Sequence, residues 1–265
     1  MLRFLLAFSL IFSVLPAQSQ TQSWDDITWI TEEFPPWSYT ENGELKGFYI
    51  DLLEAIWAEL GVNKTRDVIQ VLPWARGIYY LEHRPGTALF SIAKSKSREK
   101  LGFQWVGPVN ANNRLVFTVK KDSQLAISSM TEVNTGFGKQ SIGVINKDIS
   151  EEIFLENGGS EAKLHRLNSG SALVKMLVAG RISAIYYKHF QTFYHIRALG
   201  YDATEFESIY VVGSSGPNQD SYFAFHKDTD SKLVESFRTA FKTLEEKGVI
   251  SDLLLKYSPP KLSSE

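Results

Sequence analysis

The chain has 265 residues, 43% of them hydrophobic and 22% charged, an ordinary globular composition with material for one large domain or two small ones. A formal net charge of −2, with no clustered Lys/Arg stripe, excludes a nucleic-acid footprint, and the absence of cysteine excludes disulfides and thiolate metal sites. Six Trp, 11 Tyr and 17 Phe are enough to build a core and also line a pocket for a small ligand.

Residues 1–19 have the form of a signal peptide. Leu2-Arg3 is a minimal basic start. The apolar run at 4–15 is too short to span a bilayer with ease. Pro16 breaks it, and Ala17-Gln18-Ser19 places small residues for cleavage after Ser19. No cysteine follows, so a lipid anchor is not expected. The mature protein is expected to be soluble and exported, periplasmic in a bacterium.

Residues 27–31 predict the first strand. Residues 32–39 (EEFPPWSY) cannot be regular structure, because two prolines interrupt them. Phe34, Trp37 and Tyr39 sit in this loop, either as a ligand wall or as a plug beneath it. Asn42-Gly43 is a tight turn. Residues 49–60 predict a helix, with Leu52, Leu53, Ile56 and Trp57 near 3.6 spacing and Gly61 as its stop. Residues 68–72 read as a second strand. Pro73 then opens a helix that places Trp74 and Arg76 near its N-terminus.

A short buried strand is expected at 88–90. It hands over to a Ser-rich loop, with Ser91, Ala93, Lys94, Ser95 and Ser97, and then to Arg98. Backbone N–H groups, hydroxyls and a guanidinium fork suit a carboxylate. The alternative for a lone Arg is a surface ion pair. An aromatic stretch, 103–106, closes the segment and Gly107-Pro108 ends it. The order so far is α/β, with ligand loops at the carboxyl ends of strands.

Further strands are expected at 115–119, 141–145, 163–167, 182–187 and 222–226. Helices are expected from 150 to Gly158-Gly159, at 171–178, 231–244 and 248–257. Asp148 or Ser150 would cap the first of these. Lys188 stands at the carboxyl end of the 182–187 strand, among Tyr186, Tyr187, Phe190, Phe193 and Tyr194. Two polar stretches, 110–113 and 213–220, suit crossings between units. The chain therefore leaves one α/β unit near Asn110, builds a second and returns near Gly216. The expected lobes are 20–109 plus 220–265, and 110–219. No internal repeat is visible.

The blocks EEFPPWSY with NGELKGFYIDLLEAI, LPWARG, SREK with FQWVGPV, ALVKMLVAGRISAIYY, YFAFHKD and FRTAFKTLEEKGVISDLLLKY follow one another in order. In that order they resemble the family-3 periplasmic solute-binding proteins, the polar amino-acid binders of ABC importers. The resemblance covers essentially the whole mature chain. It implies a clamshell of two α/β lobes joined by a two-segment hinge, closing around a ligand. It implies that Arg98 holds a ligand carboxylate, that Phe34 and Trp74 sandwich the ligand body, and that Ser91 and Ala93 add hydrogen bonds. It also places the turn at Lys147-Asp148 against the ligand.

The departures point to a different ligand. Lys188 stands where an acid usually holds the α-amino group, and a cation repels an ammonium in a closed cleft. A shift of one residue would put Tyr187 or His189 in that slot. Arg98, Lys188 and the rings suit an anionic or aromatic small molecule better than a plain α-amino acid. Asp148, Glu32 or Glu33 remain able to hold an amine placed differently. A monomeric binding protein with no catalytic residues is expected, serving an ABC permease or a membrane sensor. The alternatives are a lyase on the same scaffold, similar to cyclohexadienyl dehydratases, and a sensory receptor without transport. No GxSxG, HExxH, P-loop or dinucleotide fingerprint occurs, and the five histidines are scattered, so neither cofactor nor metal is expected.

Overall fold

The computed structural model describes residues 22–110, 115–123, 125, 127–139, 141–212 and 220–257. The expected signal peptide, most of both expected crossings and the polar tail lie outside the described residues. No helix among the described residues is long and apolar enough to cross a membrane.

Twelve strands form two five-stranded sheets and a hairpin among the described residues. The first sheet contains β1 (Thr28–Thr31), β4 (Gln70–Val71), β5 (Thr87–Ala93), β6 (Gln104–Asn110) and β12 (Asp220–Phe225). Its order is β4-β1-β5-β12-β6, with β1 parallel to β4 and β5, and β12 antiparallel to β5 and β6. The second contains β7 (Leu115–Lys120), β8 (Ile142–Ile145), β9 (Leu164–Leu167), β10 (Ala184–Lys188) and β11 (Phe206–Val212). Its order is β11-β7-β10-β8-β9. Strands β8, β9 and β10 repeat the parallel arrangement of β1, β4 and β5, with antiparallel β7 in the place of β12. The chain passes between the sheets after β6 and again after β11.

Period-3.6 apolar positions cover the first sheet. Leu52, Leu53, Ile56 and Trp57 of α1 (Phe48–Glu59) and Phe237 and Phe241 of α8 (Ser231–Glu246) are buried. Trp29 is the hub, edge-on to Trp57 at 5.4 Å and stacked on Phe237 at 5.7 Å. Such ring pairs add about 0.5–1.5 kcal/mol each beyond area burial. Phe117, Tyr186 and Phe154 make the corresponding set in the second sheet, Phe154 coming from α5 (Ile149–Glu156).

Several expectations are corrected. Tyr39 begins β2 (Tyr39–Glu41), which pairs with β3 (Glu44–Lys46) around the Asn42-Gly43 turn, rather than remaining in the loop. Val68 ends a 3-10 turn, and the second strand is only two residues long. Strand β5 continues past Phe90 to Ala93, because Ser91 is absorbed as a bulge: Phe90 and Ile92 pair with Phe223 and Tyr222, leaving Ser91 out of the ladder at φ 64°. Strand β6 likewise runs through Gly107-Pro108 to Asn110. Three elements carry no readable pattern: α4 (Met130–Gly136), α7 (His189–Ala198) and β11.

The loop after β1 is anchored on the start of α1. Phe48 and Tyr49 amides donate to the Pro36 and Trp37 carbonyls at 3.3 and 2.9 Å. Gly47 permits this approach at φ 125°, since a Cβ there would stand 2.5 Å from the Trp37 carbonyl oxygen. Gly47→Ala is expected to cost about 1–3 kcal/mol in urea denaturation, the scale of a Gly-only backbone conformation. An unchanged midpoint would show that the loop is free to move off the helix.

Candidate functional site

The carboxyl ends of the parallel strands in the two sheets meet each other. From the first sheet come Glu32 after β1, Trp74 at the start of α2 (Trp74–His83), Ser91 and Ala93 on β5, and Arg98 in α3 (Lys96–Glu99). From the second come Lys147 and Asp148 after β8, and Lys188 at the end of β10.

Arg98 is buried, at 5% exposure. Its short helix is capped by Ser95, whose hydroxyl accepts from the Arg98 amide at 3.3 Å. One guanidinium nitrogen donates to the Ala93 carbonyl at 2.8 Å and the other to the Lys147 carbonyl at 3.1 Å. The same Lys147 carbonyl accepts the Trp74 indole N–H at 2.8 Å. Lys147 has φ 60°, which turns the carbonyl toward the first sheet. Arg98 is thus no surface ion pair. Two of its five donors are committed to carbonyls, one on each side of the cleft.

Lys188 is also buried, and its ammonium lies beside a carboxylate and a ring. The Asp148 carboxylate lies 3.8 Å away and the Phe34 ring centroid 4.2 Å away. Asp148, not Ser150, caps α5: its Oδ1 accepts from the Ser150 amide at 2.9 Å and hydroxyl at 2.6 Å, leaving Oδ2 toward Lys188. Lys188 therefore does not stand in the cleft as an uncompensated cation.

The other expected residues divide. Phe34 is buried, and Trp74 is buried with the Arg98 guanidinium 5.2 Å from its ring. Trp37 is buried edge-on against Phe48 at 5.5 Å, which makes it the plug beneath the loop. Tyr39 is half-buried and meets Tyr194 of α7 at 6.3 Å. Arg76 is exposed, outside the buried set. Glu33 is exposed and accepts from the Thr40 amide, turned away to hold the hairpin. Of the alternatives to Lys188, Tyr187 is buried beside it, whereas His189 bonds Ser208 at 2.8 Å.

The Ser-rich loop and the Lys147-Asp148 turn were expected at the site, but three contacts escaped sequence reasoning. Ser95 and Ser97 hydroxyls donate to Glu152 of α5 at 3.1 and 2.7 Å, a contact between the two sides. Gln191 of α7 donates to the Pro35 carbonyl at 3.3 Å, while its Oε1 is buried without a partner among the described residues. The third is the Lys147 carbonyl. Each depends on contacts across more than 45 positions, which no local spacing reveals.

Glu32 is the carboxyl of the site that is moved across neutral pH. Burial pushes its carboxyl up to about 8 from an ordinary 4.5, and Asp148 adds to the rise, with a smaller push from Glu33. Lys188 and Arg98 act against it. Burial also pulls the Arg98 guanidinium below its ordinary value, opposed by Asp148, Glu152 and Glu32. The Tyr187 phenol is pushed well up by burial, then by Glu32 and Asp148. The unfolded chain releases the Glu32 proton near 4.5 and the closed fold near 8, so the fold binds more proton between them. Stability is therefore expected to fall as pH rises through that window and to level off above it. Glu32→Gln should flatten this part of the profile in chemical denaturation. An unchanged slope would place its origin elsewhere.

A sequence profile of the bacterial extracellular solute-binding proteins, family 3, matches residues 27–260. No curated protein matches the chain. Among solved structures, an ancestral arginine-binding protein bound to arginine is 21% identical with a TM-score of 0.70, covering 88% of this chain and 99% of its own. The arginine-, lysine-, histidine-binding protein ArtJ of Geobacillus stearothermophilus is 17% identical, TM-score 0.68, covering 89% and 97%. A histidine kinase sensor domain similar to periplasmic binding proteins is 17% identical, TM-score 0.72, covering 88% and 97%. At these identities the likeness is one of fold, the bilobed α/β architecture in which two lobes close on a cleft. With the profile spanning nearly all of its described length, the chain belongs to the family-3 bacterial extracellular solute-binding proteins.

Proposed function

We propose that this chain is an exported solute-binding protein that captures a small carboxylate-bearing molecule between its lobes, for ABC import or for sensing. The observation that carries the reading is the buried pair of cations, Arg98 and Lys188, facing the cleft with one carboxylate, Asp148, between the lobes' strand ends. With Glu32 holding its proton near neutral pH, that set has one positive charge in excess. A monoanionic ligand balances it; an α-amino acid zwitterion does not, and its ammonium would meet Lys188. Phe34 and Trp74 supply apolar faces for the ligand body.

The reading takes residues 1–19 as a cleaved export signal, 20–109 with 220–265 as one lobe and 110–219 as the other. It takes the ligand site as Phe34, Trp74, Ser91, Ala93, Arg98, Asp148 and Lys188, with a monomer presented to a permease or a membrane sensor. The neighbours support both outlets, since one is a sensor domain and another is the substrate-binding protein of an amino acid ABC transporter.

A thermal-shift and calorimetric screen of the mature protein against organic acids, aromatic acids, amino acids and polyamines tests the reading. A ligand at 100 times its dissociation constant adds about 2.7 kcal/mol of stability. The expected hits are organic anions. Arg98→Ala is expected to cost about 2–5 kcal/mol of binding, roughly 30-fold to several thousand-fold, because a charge in a closed cleft loses its partner. A hit confined to amino acids or polyamines, or a loss under about 1 kcal/mol, would overturn the anion site. Turnover of a bound acid would replace the binding role with a catalytic one.

A further inference from the structure

Two buried polar groups in the cleft have no role in the contacts described above. Glu32 is 8% exposed, and no hydrogen bond from a described residue reaches its carboxyl. Ser91 is 4% exposed, and its Oγ has no partner among the described residues. They come from neighbouring parallel strands: Glu32 directly follows the end of β1, and Ser91 lies near the carboxyl end of β5, which pairs with β1. The bulge at Ser91, with φ 64°, removes this residue from the ladder with β12. A non-glycine residue in that conformation, with an orphaned buried hydroxyl, is a feature built for a partner.

We propose that Glu32 and Ser91 form a donor subsite that selects the ligand, reading an oxo or hydroxyl oxygen beside the carboxylate held by Arg98, so that the ligand is a small oxo- or hydroxy-monocarboxylate rather than its amino analogue. This rests on the anion site proposed above. The groups around Glu32 decide what it does. Asp148 from the turn before α5 and Glu33 from its own loop disfavour a second negative charge, Lys188 from β10 and Arg98 from α3 favour it, and the Tyr187 phenol on β10 stays neutral. Burial settles the balance toward the acid form, with the carboxyl titrating near 8. Acid-form Glu32 is a donor, which pairs with a carbonyl or hydroxyl oxygen and leaves an ammonium without an acceptor. An incoming carboxylate raises the Glu32 carboxyl further, so anion binding favours the acid form.

The two ligand classes then have opposite pH profiles. Affinity for an oxo or hydroxy acid is level below about pH 8 and falls above it, approaching tenfold per unit. An amine held by ionised Glu32 would gain affinity as pH rises toward 8. The experiment is calorimetry from pH 6 to 9.5 with matched series that differ only at C2: phenylpyruvate, phenyllactate, phenylalanine and 3-phenylpropanoate, and their leucine-derived counterparts. Oxo or hydroxy acids are expected to bind tightest, with the falling profile. Glu32→Gln is expected to flatten that profile. Ser91→Gly, which keeps the bulge conformation, should weaken oxo and hydroxy acids about three- to tenfold and leave the unsubstituted acid as it was.

Binding of no organic acid would overturn the anion site and this inference with it. Organic-acid binding without discrimination at C2, or with a profile that Glu32→Gln leaves unchanged, would overturn the inference alone. Tighter binding of the amino acid, rising with pH, would make Glu32 an amine-holding carboxylate instead.

Discussion

Charge withdrawn from water has to be answered on the spot, and in this protein two cationic and two carboxyl side chains are withdrawn together. A single uncompensated ion in such a place costs several kcal/mol after relaxation. Arg98 is answered by two backbone carbonyls, Lys188 by Asp148 and the face of Phe34, and Asp148 by the start of α5 as well as by Lys188. Glu32 is answered by its own proton. Two of these solutions reach across the lobes. The Lys147 carbonyl that satisfies Arg98 comes from the opposite sheet, and so does the ring that covers Lys188. The two sheets must meet at their carboxyl ends, in one relative placement, for the cluster to be buried at all.

The backbone pays for that placement at identifiable points. Three non-glycine residues among those described have positive φ: Asn42 in the hairpin turn, Ser91 and Lys147. The latter two are in the cleft, one on each side. A regular strand would keep the Ser91 backbone in the ladder with β12, and a regular turn would send the Lys147 carbonyl away from Arg98 and Trp74. Gly47 belongs to the same set, since its φ of 125° lets the Phe34–Trp37 loop sit on the start of α1. Departures from ideal geometry concentrated at one site are what a binding cleft is expected to show, and here each has a stated partner or an orphaned group beside it.

Periodicity made most of the frame legible. The stripes of α1 and α8 and the turn at Asn42-Gly43 follow from spacing and residue type alone, while the cap of α5 was narrowed to Asp148 or Ser150 and the fold selects Asp148. Helix α7 was not legible, because His189, Phe193, Tyr194 and His195 put rings and polar groups on every face. The likeness between the two sheets was invisible for another reason: topology can repeat without any residue repeating. In the site, Arg98 and Lys188 stood out as charges at strand ends, but the meeting of Lys188 with Asp148 spans 40 positions and needs the sheet order. Glu32 and Glu33 were indistinguishable beside two prolines. Burial separates them, since Glu32, directly after β1, is buried and Glu33 is exposed and turned to the hairpin.

Closure has a magnitude that follows from the contacts. The lobes are joined at the cleft by hydrogen bonds from Trp74 and Arg98 to Lys147, from Ser95 and Ser97 to Glu152, and from Gln191 to Pro35. Neutral bonds of this kind contribute about 0.5–1.5 kcal/mol each and charged ones about 1.5–3. Against them stand the dehydration of two cations and the proton held on Glu32. The closed and open forms are therefore separated by a small difference between these opposing terms, the condition under which a ligand can shift a population. A carboxylate seated on Arg98 would exchange a neutral carbonyl partner for a charged one and cancel the excess positive charge of the cleft. Those gains exist only when both lobes surround it. On the proposed reading, the cluster that makes closure costly without an anion would make it favourable with one, so affinity and closure would be two readings of a single charge balance.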